Sequence, residues 1–176
     1  MGPCSIHDQK AALEYAKRLQ ELAREVSESC FLVMRVYVEK SRTARNWKGF
    51  LYDPRLNGTN DLSEGLSRTR ELLTALAEMK VPCATEFVDP LAAIYFQDLI
   101  SWGFIGARTV YSQSHRQFAS SLPMPVGFKN SLDGNIKSAI HAIESASHSH
   151  TYLSVNTAGK LGILHSQGNP NTHIVS

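Results

Sequence analysis

Between Asp8 and about Glu25, apolar residues recur at Ala12, Ala16, Leu19, Ala23 and Val26 with charges between them. That spacing predicts an amphipathic helix with one buried stripe, capped by Asp8. A β-branched run predicts a strand from Phe31 to about Val38, although Arg35 interrupts it and Glu39, Lys40, Arg42 and Thr43 follow. A long loop containing Trp47, Gly49, Pro54 and Asn57-Gly58 leads to Asp61-x-x-Glu64, a capping box for a helix with Leu62, Leu66, Leu73, Leu76 and Met79 inward. Val81 to Val88 reads as the next strand, and Asp89-Pro90 as cap and first-turn proline of a helix ending before Gly103.

The alternation continues. Phe104 to Thr109 reads as a strand, Ser112 as the cap of a helix stopping at Pro123, Pro125 to Phe128 as a strand, and Asp133 as the cap of a helix to about Ala146. Near the end the spacing changes: Thr151 to Asn156, Thr157-Ala-Gly-Lys and Leu161 to His165 predict a β-hairpin, and His173 to Val175 begins another strand. Repeated βα units without a repeat in sequence imply an α/β fold, a parallel sheet covered by helices. Lys40, Glu86, Arg108 and Lys129 fall at or just past successive strand ends. A closed barrel gathers such ends around one site, whereas an open sheet uses a single switch point, so the pattern favours a barrel.

Composition narrows the class. A chain of 176 residues, 43% hydrophobic and 19% charged, can bury a core as one domain. A net charge of +2 and no basic run interleaved with aromatics argue against nucleic acid as a partner. There is no signal-peptide core and no run of about 18 apolar residues, so the expectation is a cytoplasmic protein without a membrane partner. Cys4, Cys30 and Cys83 form no Cys-x-x-Cys, which fits a reducing compartment and leaves the Asn57-Gly-Thr glycosylation pattern idle.

Arg35 is the candidate that calls for explanation, because an unpaired guanidinium in a covered strand costs several kcal/mol. Glu39 or Glu86 would answer it, and so would a small, multiply negative ligand such as a phosphorylated carboxylate. Arg108 in Gly106-Ala-Arg-Thr and Lys129 in Gly127-Phe-Lys-Asn sit where a strand gives way to a helix, positions suited to an anion. A surface ion pair explains any one of these cations; Arg35, Lys40, Arg108 and Lys129 at matching positions indicate a site. Cys4 reads either as a thiolate metal ligand or as a small buried residue, and His7 is equally ambiguous. His148 and His150 flank a loop where solvated histidines are common. No P-loop, nucleophile elbow or His-Glu-x-x-His is present.

The motifs Gly2-Pro-Cys-Ser-Ile-His-Asp, Met34-Arg-Val-Tyr-Val-Glu-Lys-Ser-Arg-Thr, Trp47-Lys-Gly, Ala84-Thr-Glu-Phe, Ser101-Trp-Gly-Phe-Ile-Gly-Ala-Arg-Thr, Ser112-Gln-Ser-His-Arg, Pro125-Val-Gly-Phe-Lys-Asn and Asp133-Gly-Asn-Ile-Lys occur in order along the whole chain. Together they resemble type I 3-deoxy-D-arabino-heptulosonate 7-phosphate (DAHP) synthases. The resemblance implies a partial (β/α)8 TIM barrel, with residues 1–176 a single incomplete barrel domain lacking the first strand and the C-terminal strands. It implies a transferase that opens the shikimate pathway to chorismate and the aromatic amino acids by condensing phosphoenolpyruvate with erythrose 4-phosphate. By resemblance, Arg35, Lys40, Arg108 and Lys129 hold phosphoenolpyruvate, with Glu86 lining the same pocket. Lys40, also taken as catalytic, Arg42 and Thr43 receive the sugar phosphate. Cys4 would bind a divalent metal (manganese, iron, cobalt or zinc) that polarises the aldehyde or activates water. A homo-oligomer is implied for the full-length enzyme.

Three departures stand out. Ser41 replaces the family's proline, loosening a φ-locked loop. Val110-Tyr111 stands where Thr-Glu is usual, and the chain ends at His173-Ile-Val-Ser where the family continues Leu-Arg-Gly-Gly. The continuation would supply the family's metal-binding His, Glu and Asp and a further phosphate-binding Arg, and 176 residues is short of the roughly 250 typical of the fold. A piece of the enzyme, inactive by itself, is the expectation. The alternatives are 3-deoxy-octulosonate 8-phosphate synthase, whose Lys-Ala-Asn-Arg-Thr-Ser has a residue that Lys40-Ser-Arg-Thr lacks, and a non-catalytic remnant binding anions or a partner chain.

Overall fold

A computed structural model describes residues 1–156 and 158–175. Helices alternate with parallel strands, and the contacts gather in two compact units. One comprises Met1–Thr85 with Leu99–Ser101; the other comprises Glu86–Asp98 and the chain from Trp102 onward.

In the first unit, helix α1 (Gln9–Glu25) starts where the Asp8 carboxylate accepts a hydrogen bond from the Ala11 amide at 2.9 Å. Its stripe buries Ala12, Ala16 and Leu19. Strand β1 is only Met34–Arg35, shorter than the apolar run suggested. Phe31 is 83% exposed and lies before the first paired residue, since a strand extends only as far as its partners. Past β1 the chain stays buried through Val36 and Val38, held by amides bonding to Ala84 and Val38 carbonyls from Val36 and Leu51.

Helix α2 (Leu62–Glu78) is capped by Asp61, which accepts from the Glu64 amide at 3.0 Å. Glu64 turns its own carboxylate to Arg55 and Arg68. Leu62, expected inward, is exposed, while Gly65, Thr69, Leu72, Leu73 and Leu76 form the buried face. Gly65 lets this face approach closely, since a Cβ there would stand 1.8 Å from the Leu51 carbonyl oxygen. The helix ends in a Schellman arrangement: Lys80 takes φ of 58°, its amide bonds to the Ala77 carbonyl and the Val81 amide to the Leu76 carbonyl. Strand β2 (Cys83–Glu86), shorter than the expected Val81 to Val88, runs parallel to β1 with Met34 opposite Cys83.

In the second unit Asp89 caps α3 (Pro90–Ala93), accepting from the Leu91 amide at 2.8 Å. The helix expected to reach Gly103 stops after one turn and gives way to shorter turns. Burial decides this: Phe96 is carried inward, 1% exposed, and stacks on Phe87 with ring centroids 6.1 Å apart. Strand β3 is Trp102–Ile105 rather than Phe104 to Thr109, and the Thr109 and Val110 amides fold back onto the Gly106 carbonyl. Helix α4 (Gln113–Ser121) is capped by Ser112, and strand β4 (Val126–Lys129) lies parallel to β3.

Helix α5 (Lys137–Ser147) begins later than expected. Asp133 does not cap it; its carboxylate is taken by the Ser131 hydroxyl and the Asn135 amide in the preceding turn, and Asn135 accepts from the Lys137 amide at 2.8 Å. The hairpin pairs β5 (Thr151–Val155) with β6 (Leu161–His165); Thr157, expected in its turn, lies outside the described residues. Strand β7 (Thr172–Val175) is parallel to β4 on the side opposite β3, with Gly127 facing His173. Among the described residues no helix is long and apolar enough to cross a membrane.

Two substitutions should move stability in opposite directions. Gly65→Ala forces a methyl into the Leu51 backbone and should destabilise by at least about 1–3 kcal/mol. Lys80→Gly relieves a left-handed residue and should stabilise by about 0.5–1 kcal/mol. Urea unfolding with unchanged m-values tests both, and a neutral Gly65→Ala would contradict the packing described.

Candidate functional site

The first cluster is built by laying the N-terminal residues on β1. The Arg35 amide donates to the Met1 carbonyl at 2.7 Å, and the Ile6 amide to the Tyr37 carbonyl at 2.8 Å. Gly2 makes this possible, because a Cβ there would lie 2.5 Å from the Arg35 carbonyl oxygen. Cys4 is thereby placed beside two cations. Lys40 donates through Nζ to Cys4 Sγ at 2.7 Å and to the Cys4 carbonyl at 3.3 Å, and Arg35 Nη2 donates to the same carbonyl at 3.2 Å. The Lys40 hydrogen bond and charge, helped by Arg35 and Arg42, hold the exposed Cys4 thiol below the ordinary thiol range.

Arg35 is stacked on Tyr37, its guanidinium carbon 3.8 Å from the ring centroid. Its Nε is buried and has no hydrogen-bond partner. Tyr37 was not singled out in the sequence, yet it lies two residues along an extended segment and so shares a side with Arg35. Arg42 is exposed and donates through Nε to the Trp47 carbonyl at 2.8 Å; Thr43, two residues past the half-buried Ser41, is exposed as well.

The second cluster lies in the other unit. Lys129, at the end of β4, pairs with Glu86 Oε2 at 3.0 Å, with side-chain exposures of 32% and 12%. Glu86, one candidate partner for Arg35, is thus the counter-ion of Lys129. Gly106 leaves the room, since a Cβ there would sit 2.2 Å from Glu86 Oε1. Arg108 is exposed in the turn after β3. That turn is braced by Arg116, whose Nε donates to the Val110 carbonyl at 2.9 Å, while His115 bridges Ser112 Oγ and the Val88 carbonyl.

Two further histidines, His148 and His150, bond to nearby carbonyls. His148 Nδ1 lies 2.8 Å from the Glu144 carbonyl and His150 Nε2 2.8 Å from the Ser145 carbonyl, and His7 is exposed. Among the described residues no three His, Cys, Asp or Glu side chains form a group that could hold a metal ion. Burial pushes the Cys83 thiol up to about 12, and Cys30 is exposed.

The profile of the family described as "DAHP synthetase I family" matches residues 1–176. The chain belongs to this family. It is 51% identical to the Tyr-sensitive phospho-2-dehydro-3-deoxyheptonate aldolase of Salmonella typhimurium over 99% of this chain and 49% of that protein. Against the Trp-sensitive enzyme of Escherichia coli K12 it is 50% identical over 99% of this chain and 50% of that protein. A solved phospho-2-dehydro-3-deoxyheptonate aldolase from Francisella tularensis superposes with a TM-score of 0.96 at 46% identity, covering 98% of this chain and 51% of that one. The chain therefore spans about half the length of the curated relatives it matches. Its succession of helices and parallel strands is a partial barrel of that family.

The Cys4 thiol should show its neighbour directly. In a Cys30→Ser background, the alkylation rate of Cys4 plotted against pH should have its midpoint below that of a free thiol. Lys40→Met should move that midpoint upward, because the cation favouring the thiolate is gone. An unmoved midpoint would dissociate Lys40 from the thiol.

Proposed function

We propose that this chain carries substrate-binding residues of a DAHP synthase, which joins phosphoenolpyruvate to erythrose 4-phosphate and releases phosphate. The observation that supports it best is Arg35: a buried Nε donor without a partner, beside Lys40 and Cys4, in an environment that an anion would complete. Arg35, Lys40, Arg108 and Lys129 are assigned to the phosphate and carboxylate of phosphoenolpyruvate, with Glu86 orienting Lys129. Lys40, Arg42 and Thr43 are assigned to the sugar phosphate.

In the reaction the enol carbon of phosphoenolpyruvate forms a bond to the aldehyde carbon. Water adds at the neighbouring carbon and phosphate departs. Lys40 is the candidate proton donor to the aldehyde oxygen as it becomes an alkoxide. Arg35 and Lys129 offset the negative charge of the ligand, and stacking on Tyr37 holds the Arg35 guanidinium in place. A divalent metal fits only in part: Cys4 offers one lowered thiol, and the described residues hold no group of three donors. A cytoplasmic setting is in keeping with free Cys4, Cys30 and Cys83.

Calorimetric titration with phosphoenolpyruvate tests the assignment. Arg35→Ala and Lys129→Ala should each weaken binding by about 1.5–3 kcal/mol, roughly tenfold to 150-fold. Unchanged affinity in both variants would refute it. Turnover gives a separate test: with both substrates and manganese, the 176-residue chain should release no phosphate by itself. Addition of the C-terminal half of the Escherichia coli relative should restore release. Failure of complementation together with retained anion binding would favour a non-catalytic anion-binding remnant.

A further inference from the structure

Resting on the assignment of Arg42 to the sugar phosphate, we infer that Trp47 is a positioning residue that sets the Arg42 guanidinium before the ligand arrives. Residues 41–46 form a loop whose base is closed by two hydrogen bonds onto consecutive carbonyls. Arg42 Nε donates to the Trp47 carbonyl at 2.8 Å, and the Lys40 amide donates to the Lys48 carbonyl at 2.7 Å. One clasp therefore governs both the backbone of Lys40 and the side chain of Arg42.

The platform under the clasp is itself fixed. The Trp47 indole Nε1 donates to the Asp53 carbonyl at 2.9 Å, and the Asp53 carboxylate accepts from the Gly58 amide at 3.0 Å. Gly49 has φ of 112°, and a Cβ there would stand 2.4 Å from the Val38 carbonyl oxygen and 2.8 Å from the Glu39 Cα. Residues 47–49 consequently lie directly against the segment that leads to Lys40. An exposed arginine samples many rotamers, and ordering them opposes binding. With Nε held by the Trp47 carbonyl, the guanidinium plane is set and its terminal nitrogens can meet two phosphate oxygens side by side. The clasp also supplies restraint in a loop that carries Ser41 rather than a proline.

Trp47→Phe keeps an aromatic ring but removes the indole N–H that ties the platform to Asp53. Calorimetry with erythrose 4-phosphate on the wild-type chain, Trp47→Phe, Arg42→Ala and the double variant forms the test. Trp47→Phe should weaken binding about two- to tenfold in the wild-type background and cause no further loss in the Arg42→Ala background. Equal losses in both backgrounds would mean general packing and would overturn the inference. If Arg42→Ala leaves affinity unchanged, or the wild-type chain takes up no sugar phosphate, the assignment of Arg42 falls, and the ligand-linked role of Trp47 falls with it. The clasp has a readout that needs no ligand: the Nε–H resonance of Arg42 should exchange with water faster in Trp47→Phe. Unchanged exchange would show that Trp47 does not hold Arg42.

Discussion

The first unit depends on how closely residues 1–4 come to β1. The Met1 carbonyl takes the Arg35 amide, and only a residue without a side chain fits at position 2 over the Arg35 backbone. Once that seam is made, Cys4 lies against Lys40 and its carbonyl collects bonds from Lys40 and Arg35 together. Two cations converging on one exposed sulfur and one carbonyl leave an excess of positive charge, to which Arg42 contributes at longer range. A thiolate relieves part of that excess and a bound anion would relieve more. The depressed Cys4 thiol and the unpartnered Arg35 Nε thus both belong to this seam.

The second unit solves the opposite electrostatic problem. Glu86, largely withdrawn from water, pairs with the half-buried Lys129, whose charge offsets the desolvation of the carboxylate. The arrangement depends on Gly106, since any side chain there would displace the carboxylate. Around it, Arg116 donates to the Val110 carbonyl and holds the turn that carries Arg108, while His115 ties Ser112 Oγ to the Val88 carbonyl. These polar side chains support position rather than chemistry, as do His148 and His150 at the end of α5.

Local bonds were legible in the sequence because they join residues a few positions apart. Asp8, Asp61, Asp89 and Ser112 cap their helices as read, each accepting from an amide two or three residues on. The hairpin and the alternation of helix and strand were also legible, and ordered motifs carried the family. Asp133 failed as a helix cap because a nearer competitor, the turn made by Ser131 and Asn135, captures its carboxylate. Phe31 and the segment after Ala93 failed for another reason: propensity marks where a strand or helix can form, while pairing and burial of Phe96 decide where it stops.

For the candidate site, the sequence by itself determined the residue types, with Arg35 within a strand and Lys40, Glu86, Arg108 and Lys129 at or just past strand ends. Tertiary structure alone decided their partners. Lys40 meets Cys4 across 36 positions of chain, Arg35 meets it across 31, and Lys129 meets Glu86 across 43. Alternation in sequence tells which side of a strand a residue occupies, but not which neighbour the fold brings to it. Pairings of that separation follow from strand register and from close approach at Gly2 and Gly106. Those depend on the packing of the whole unit, so no local pattern records them.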